Sequence, residues 1–166
     1  MERRTTSWHS PNLNMDMPLV AYGHAGQPLL MLPTAAADYL EYERFYLVDA
    51  IRHHIESGKI RAYSVNSVNR WSLLNEKMPP HLKAELLTHF DRYLVDEVLP
   101  LIRSECGDQA RPITTGASLG AFLAANAYFK HPDLFGGVIA MSGSYDVQSY
   151  LKDFHDDNVY FNNPAD

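Results

Sequence analysis

The stretch Pro112-Ile113-Thr114-Thr115-Gly116-Ala117-Ser118-Leu119-Gly120-Ala121 decides how this chain is read. Residues 112–115 predict a short strand. Residues 119–129 form an apolar helical run that Lys130-His131-Pro132 brings to an end. Gly116-Ala117-Ser118-Leu119-Gly120 lies between them and fits G-x-S-x-G in the strand–turn–helix context that gives this pattern its meaning. A serine in such a turn is held with its hydroxyl above the sheet, and the residues two before and two after it must be small. The same turn sets Ser118 at the start of a helix, where free backbone N–H groups and the helix dipole can stabilise a developing oxyanion. The Leu119 N–H is the first such donor. A simpler reading makes Ser118 an N-cap and the two glycines packing residues. A phosphate-binding loop is disfavoured because no lysine follows and the dinucleotide pattern G-x-G-x-x-G is absent.

Working outward, residues 137–141 read as a buried strand after this helix and residues 60–65 as a strand before it. A long helical pattern covers residues 81–106, with Pro100 expected to kink or divide it. Apolar positions at three- and four-residue intervals predict one amphipathic helix over residues 39–57, stopped by Gly58. Residues 18–22 and 28–32 are short apolar runs on either side of Gly23-His24-Ala25-Gly26-Gln27, which predicts two paired strands. Residues 153–158 and 162–164 read as loop. From residue 28 onward strand and helix alternate, which predicts an α/β fold with a mostly parallel sheet and helices on both faces.

The chain has 166 residues, 46% of them hydrophobic and 20% charged, enough for a single domain spanning 1–166 with a sizeable core. A formal charge of -6 argues against nucleic-acid and anionic-membrane partners, which favour clustered Lys and Arg. Cys106 is the one cysteine, so the chain forms no internal disulfide and no multi-cysteine metal framework. No signal-peptide core or bilayer-length apolar run is present, and a cytoplasmic location is expected. No cofactor or metal is expected, since His155, Asp156 and Asp157 are adjacent residues that seldom converge on one ion.

Thr115-Gly116-Ala117-Ser118-Leu119-Gly120-Ala121, together with His131-Pro132-Asp133-Leu134-Phe135 and residues 137–144, resembles the esterase D-like branch of the α/β-hydrolases. That branch includes feruloyl and siderophore esterases and mycolyltransferases. Ser67-Val68-Asn69-Arg70-Trp71 is similar to the family's loop beside the active site. The resemblance implies a three-layer α/β sandwich and a serine esterase acting on a small ester or thioester through an acyl-enzyme on Ser118. It implies a second oxyanion donor from residues 32–38, with Thr34 and Ala35 as candidates, although the loop departs from the glycine-rich form. Trp71, Tyr39 and Tyr42 are candidate pocket residues, with packing as the simpler role.

In this fold the acid and the histidine follow the serine along the chain, and beyond Ser142 no further strand is evident. The last strands and helix, with the acid and histidine loops, are therefore expected to be missing. Asp146 and His155 are the only substitutes in the right order, with a solvated loop as the plain alternative for His155. An edge strand lacking its neighbour predicts a homo-oligomer or a complementing chain. The competing functions are a catalytically incompetent binding or assembly module and an acyltransferase, in which an alcohol replaces water.

Overall fold

The computed structural model describes residues 1–165. Six strands form one sheet in the order β1-β2-β4-β3-β5-β6: β1 (Arg3–Ser10), β2 (Met15–Tyr22), β3 (Gln27–Leu32), β4 (Ile60–Val65), β5 (Ile113–Ala117) and β6 (Gly137–Met141). The last four are mutually parallel, while β1–β2 and β2–β4 are antiparallel. Alternation along the strands sends side chains to opposite faces. Leu19, Leu30, Leu32, Tyr63 and Val65 face α4 (Pro80–Tyr93), α5 (Leu99–Cys106) and α6 (Leu119–Lys130). Val20, Tyr22, Met31 and Ala62 instead meet Tyr42, Val48 and Ile55 from three short helices, α1 (Glu41–Arg44), α2 (Leu47–Ala50) and α3 (Arg52–Glu56). The result is a helix–sheet–helix sandwich.

The predicted pairing of residues 18–22 with 28–32 is corrected by the structure, which inserts β4 between β2 and β3. The turn between them is not a tight hairpin. Its end residues bond elsewhere, Gly23 N–H donating to Glu2 O at 2.9 Å and Gln27 N–H to Lys59 O at 2.9 Å. Gly26, at φ +108°, lies so close to the start of β4 that a Cβ there would sit 2.3 Å from the Lys59 carbonyl carbon. The gap between the two runs is filled by a third strand.

The single helix expected over residues 39–57 is also corrected. Tyr46, at φ 61°, separates α1 from α2, and none of the three pieces has a side-chain N-cap. The apolar pattern there was wider than the buried face: Phe45 and Tyr46 are exposed, and burial falls on Tyr42, Val48 and Ile55. Gly58 does terminate the run, with φ +70° and bonds from Gly58 N–H to Ile55 O and from Lys59 N–H to His54 O. The long helix over residues 81–106 is interrupted just before Pro100 by a π-helical turn, Leu94–Val98, which accommodates the missing proline N–H. Residues 148–160, read partly as loop, contain α7 (Gln148–Leu151) and α8 (Asp157–Tyr160). The acidic run is a cap as well as a solvated surface, since Asp156 accepts from Val159 N–H at 2.9 Å.

Glu97, in the π turn, fastens β1 to the helical layer. Its carboxylate accepts from the Trp8 indole N–H at 2.6 Å, the Ser10 hydroxyl at 2.7 Å and the Asn12 amide at 2.8 Å. Burial by itself would raise the Glu97 pKa, but these bonds outweigh it and hold the group below the usual glutamate range. Stability from Glu97 is therefore complete above the unfolded-state glutamate pKa and is lost as pH falls through the lower folded value. Urea unfolding followed by circular dichroism between about pH 6 and pH 3 should show a larger loss of stability for the wild type than for Glu97→Gln. Parallel curves would remove Glu97 from the pH dependence.

Candidate active site

β5 ends at Ala117, and the chain turns at Ser118 into α6. Ser118 has φ 55° and ψ -122°, a conformation that costs a non-glycine residue about 1–3 kcal/mol and is kept only where its surroundings enforce it. The enforcement is steric. A Cβ on Gly120 would lie 2.2 Å from Leu32 O and 2.7 Å from Pro33 O, and one on Gly116 would lie 2.3 Å from Gly120 C and 2.8 Å from Leu32 O. The backbone of the turn is pressed against the end of β3, and only glycine fits at either position. Ser118 N–H donates to Met141 O at 3.0 Å, joining the turn to the end of β6. The Ser118 side chain is exposed at the C-terminal edge of the parallel strands.

Ser118 O accepts from Ala121 and Phe122 N–H, the first bonds of α6. Among the described residues nothing accepts from Leu119 N–H. An unpaired amide at the positive end of a 12-residue helix suits an anionic oxygen held beside Ser118.

The loop after β3 lies next to this turn. Thr34 N–H donates to Glu41 Oε2 at 2.7 Å and Thr34 Oγ to Glu41 Oε1, while the Tyr42 hydroxyl donates to Leu32 O at 2.6 Å. Burial raises the Tyr42 pKa, so its hydroxyl stays protonated as that donor. On the other side the Asn66 amide oxygen accepts from Tyr39 N–H at 2.8 Å, and Arg70 donates to Ala36 O at 3.2 Å. Of the two candidate amides, Thr34 N–H is thus taken by Glu41, whereas nothing among the described residues accepts from Ala35 N–H.

Trp71, 42% exposed, lines a notch of about 100 Å³ with Ala36, Asn66 and Arg70 beside this loop. Tyr39 is half-buried and packs with the α1–α3 cluster. A second, largely apolar pocket of about 360 Å³ adjoins the serine turn and is lined by Thr34, Glu41, Tyr42, Phe45, Ala117 and Met141. Tyr42 is one of the aromatic residues that the sequence offers as pocket lining; Glu41 and Met141 carry no such signal. The only trace of Glu41 in the sequence is its place seven residues after the Thr34 that it holds. A larger cavity, of about 740 Å³, lies at the opposite end of the sheet around Gly26, Cys106 and Arg111, away from the serine.

The late acid and histidine are not brought together. Asp146 is exposed and its carboxylate accepts from Gln148 N–H at 2.9 Å, ahead of α7. His155 is exposed in the link between α7 and α8. Among the described residues no hydrogen bond joins Asp146, His155 and Ser118. His131 bonds Asp91 at 3.0 Å, but it caps the C-terminus of α6, roughly 18 Å of helix away from Ser118. No helix among the described residues is long and apolar enough to cross a membrane.

Solved structures confirm the fold. An S-formylglutathione hydrolase (FrmB) from Staphylococcus aureus aligns over 99% of this chain and 68% of its own, at 14% identity and a TM-score of 0.68. A ferulic acid esterase aligns over 98% and 69%, at 19% identity and a TM-score of 0.72. An S-formylglutathione hydrolase from Agrobacterium tumefaciens aligns over 90% and 61%, at 15% identity and a TM-score of 0.67. No curated protein matches the chain in sequence. The family model described as "Putative esterase" matches residues 58–162, from the start of β4 through α8 and across the Ser118 turn. By that match the chain belongs to this esterase family, on an α/β-hydrolase-type fold.

Proposed function

We propose that Ser118 is the nucleophile of a serine esterase that cleaves small carboxylic esters or thioesters through an acyl-enzyme. The observation that carries this is the strained, glycine-walled turn that leaves the Ser118 hydroxyl exposed over an unpaired helix N-terminus. In the first step Ser118 Oγ bonds to the acyl carbon while its proton passes to a base. The carbonyl oxygen takes the negative charge opposite the Leu119 and Ala35 N–H groups. Collapse of the tetrahedral adduct breaks the bond to the leaving oxygen or sulfur, which receives that proton. Water repeats the sequence and frees the acid. An alcohol in place of water would make the same intermediate transfer its acyl group.

The base and its acid partner are assigned to polypeptide outside the present sequence. Support for this comes from the placement of Asp146 as a turn acceptor and His155 in an exposed link, and from the longer chains of the esterases it resembles. Six strands in one sheet support a single domain over 1–166, and one cysteine suits a reducing cytoplasm.

A second reading, that the chain is an assembly module, has its own observation. β6 is an edge strand with apolar side chains open on one face, Ile139 51% and Met141 38% exposed, while Phe129 and Tyr145 flank an apolar pocket of about 330 Å³ on the other. In that reading a second copy covers the edge.

Two measurements test these readings. Fluorophosphonate labelling and p-nitrophenyl acetate hydrolysis by a chain extended to include the base should both be lost in Ser118→Ala, and labelling that persists would place the nucleophile elsewhere. Sedimentation of the 166-residue chain at micromolar concentration should show self-association that Ile139→Lys reduces; a monomeric wild type would sink the assembly reading.

A further inference from the structure

Glu41 is 6% exposed, and among the described residues it pairs with no cation. A carboxylate at that depth is costly unless its oxygens are bonded. Both of them bond to one residue. Thr34 gives its N–H to Oε2 and its hydroxyl to Oε1, a two-point grip on the loop seven residues upstream. The neighbouring Tyr42 holds Leu32 O from the same helix, and Arg70 holds Ala36 O from the opposite side. Ala35, the candidate donor whose N–H is unclaimed, lies between these anchors. Because the Thr34–Ala35 peptide is planar, the direction of the Ala35 N–H depends on the torsions of Thr34, whose N–H and side chain Glu41 immobilises.

We infer that Glu41 is a positioning residue for the esterase reaction: its carboxylate chelates Thr34 so that the Ala35 N–H is already aimed at the oxyanion site before substrate arrives. This rests on the esterase reading and on Ala35 as the second donor. Preorganisation of this kind acts in the transition state, where the charge on oxygen is complete, and contributes little to ground-state binding. The bond from Thr34 N–H also withdraws that amide from competition, leaving Ala35 of the two candidate donors. A purely structural role for Glu41 would affect stability without separating kcat from KM.

The test compares Glu41→Ala, Glu41→Gln and Thr34→Val in the full chain extended to include the base. Readouts are p-nitrophenyl acetate kinetics and amide hydrogen exchange over residues 33–37. Removing a whole oxyanion donor costs about a hundredfold to a thousandfold in kcat, so a donor that is merely loosened should cost about tenfold to a hundredfold in Glu41→Ala with KM little changed. Glu41→Gln keeps an acceptor for Thr34 N–H and should recover most of that loss. Exchange at residues 34–36 should speed up in Glu41→Ala while the amides of β5 and α6 stay protected. A wild-type kcat in Glu41→Ala, or a loss confined to KM, overturns the proposal. If Glu41→Ala unfolds, Thr34→Val decides: it removes only the hydroxyl contact and should shift kcat and local exchange in the same direction by less. No shift in either readout overturns the proposal. If the wild type hydrolyses no ester, the esterase reading fails by itself. The exchange data then still decide the brace, which unchanged protection at residues 34–36 would refute.

Discussion

The carbonyl oxygen of Leu32 meets both glycines of the serine turn, at distances that leave no room for a Cβ on Gly116 or Gly120. This backbone-to-backbone contact joins β3 to β5 at the C-terminal edge of the parallel strands and makes room for the unfavourable Ser118 torsions. Strain of this kind persists only when packing over-determines it, and here the packing is main chain against main chain, which cannot relax by changing rotamer. Because Leu32 also leads into the loop carrying Thr34 and Ala35, one contact sets the spacing between Ser118 and the second half of the candidate oxyanion site.

Around that contact, polar groups arrive from both faces of the sandwich. Glu41 and Tyr42 come from the short α1 helix, Asn66 and Arg70 from the loop after β4, and all four bond to residues 32–39. These short helices make sense in this light. A single straight helix over residues 39–57 would follow its own 3.6-residue repeat, whereas the break at Tyr46 lets α1 reach the serine loop while α2 and α3 place Val48 and Ile55 against the sheet. The chain forgoes helix length to put a buried carboxylate beside the loop.

The far edge is organised differently. β6 is tied to the serine turn through Met141 O and to β5 along its length, yet its outer side is open. At the other edge β1 is polar, well paired to β2 and fastened by Glu97, so it ends the sheet with charged and hydroxyl side chains. Only β6 presents Ile139 and Met141 to solvent. The two edges thus differ in chemistry as well as in position.

The α/β class, the strand β4, the position of β6, the helix after Ser118 and the serine turn itself were legible because each depends on local chemistry: strand–helix alternation, a G-x-S-x-G pattern and terminators at Gly58 and His131; the expected burial of β6 is corrected, since it is an open edge strand. β1 was invisible because a polar edge strand has no apolar alternation to betray it. The pairing of β2 with β3 was misread because sequence adjacency is a guide to pairing only until another strand fits between. Likewise, no local signal says that Thr34 N–H is spent on Glu41 while Ala35 N–H is not, or that Asp146 serves a turn and His155 lies in a link, neither bonded to the serine among the described residues. Sequence by itself determined the candidate nucleophile and the type of turn that carries it, since those follow from the size and torsional freedom of neighbouring residues. Tertiary structure alone decided which amide beside it is available, because that depends on a carboxylate brought back by the chain from another element.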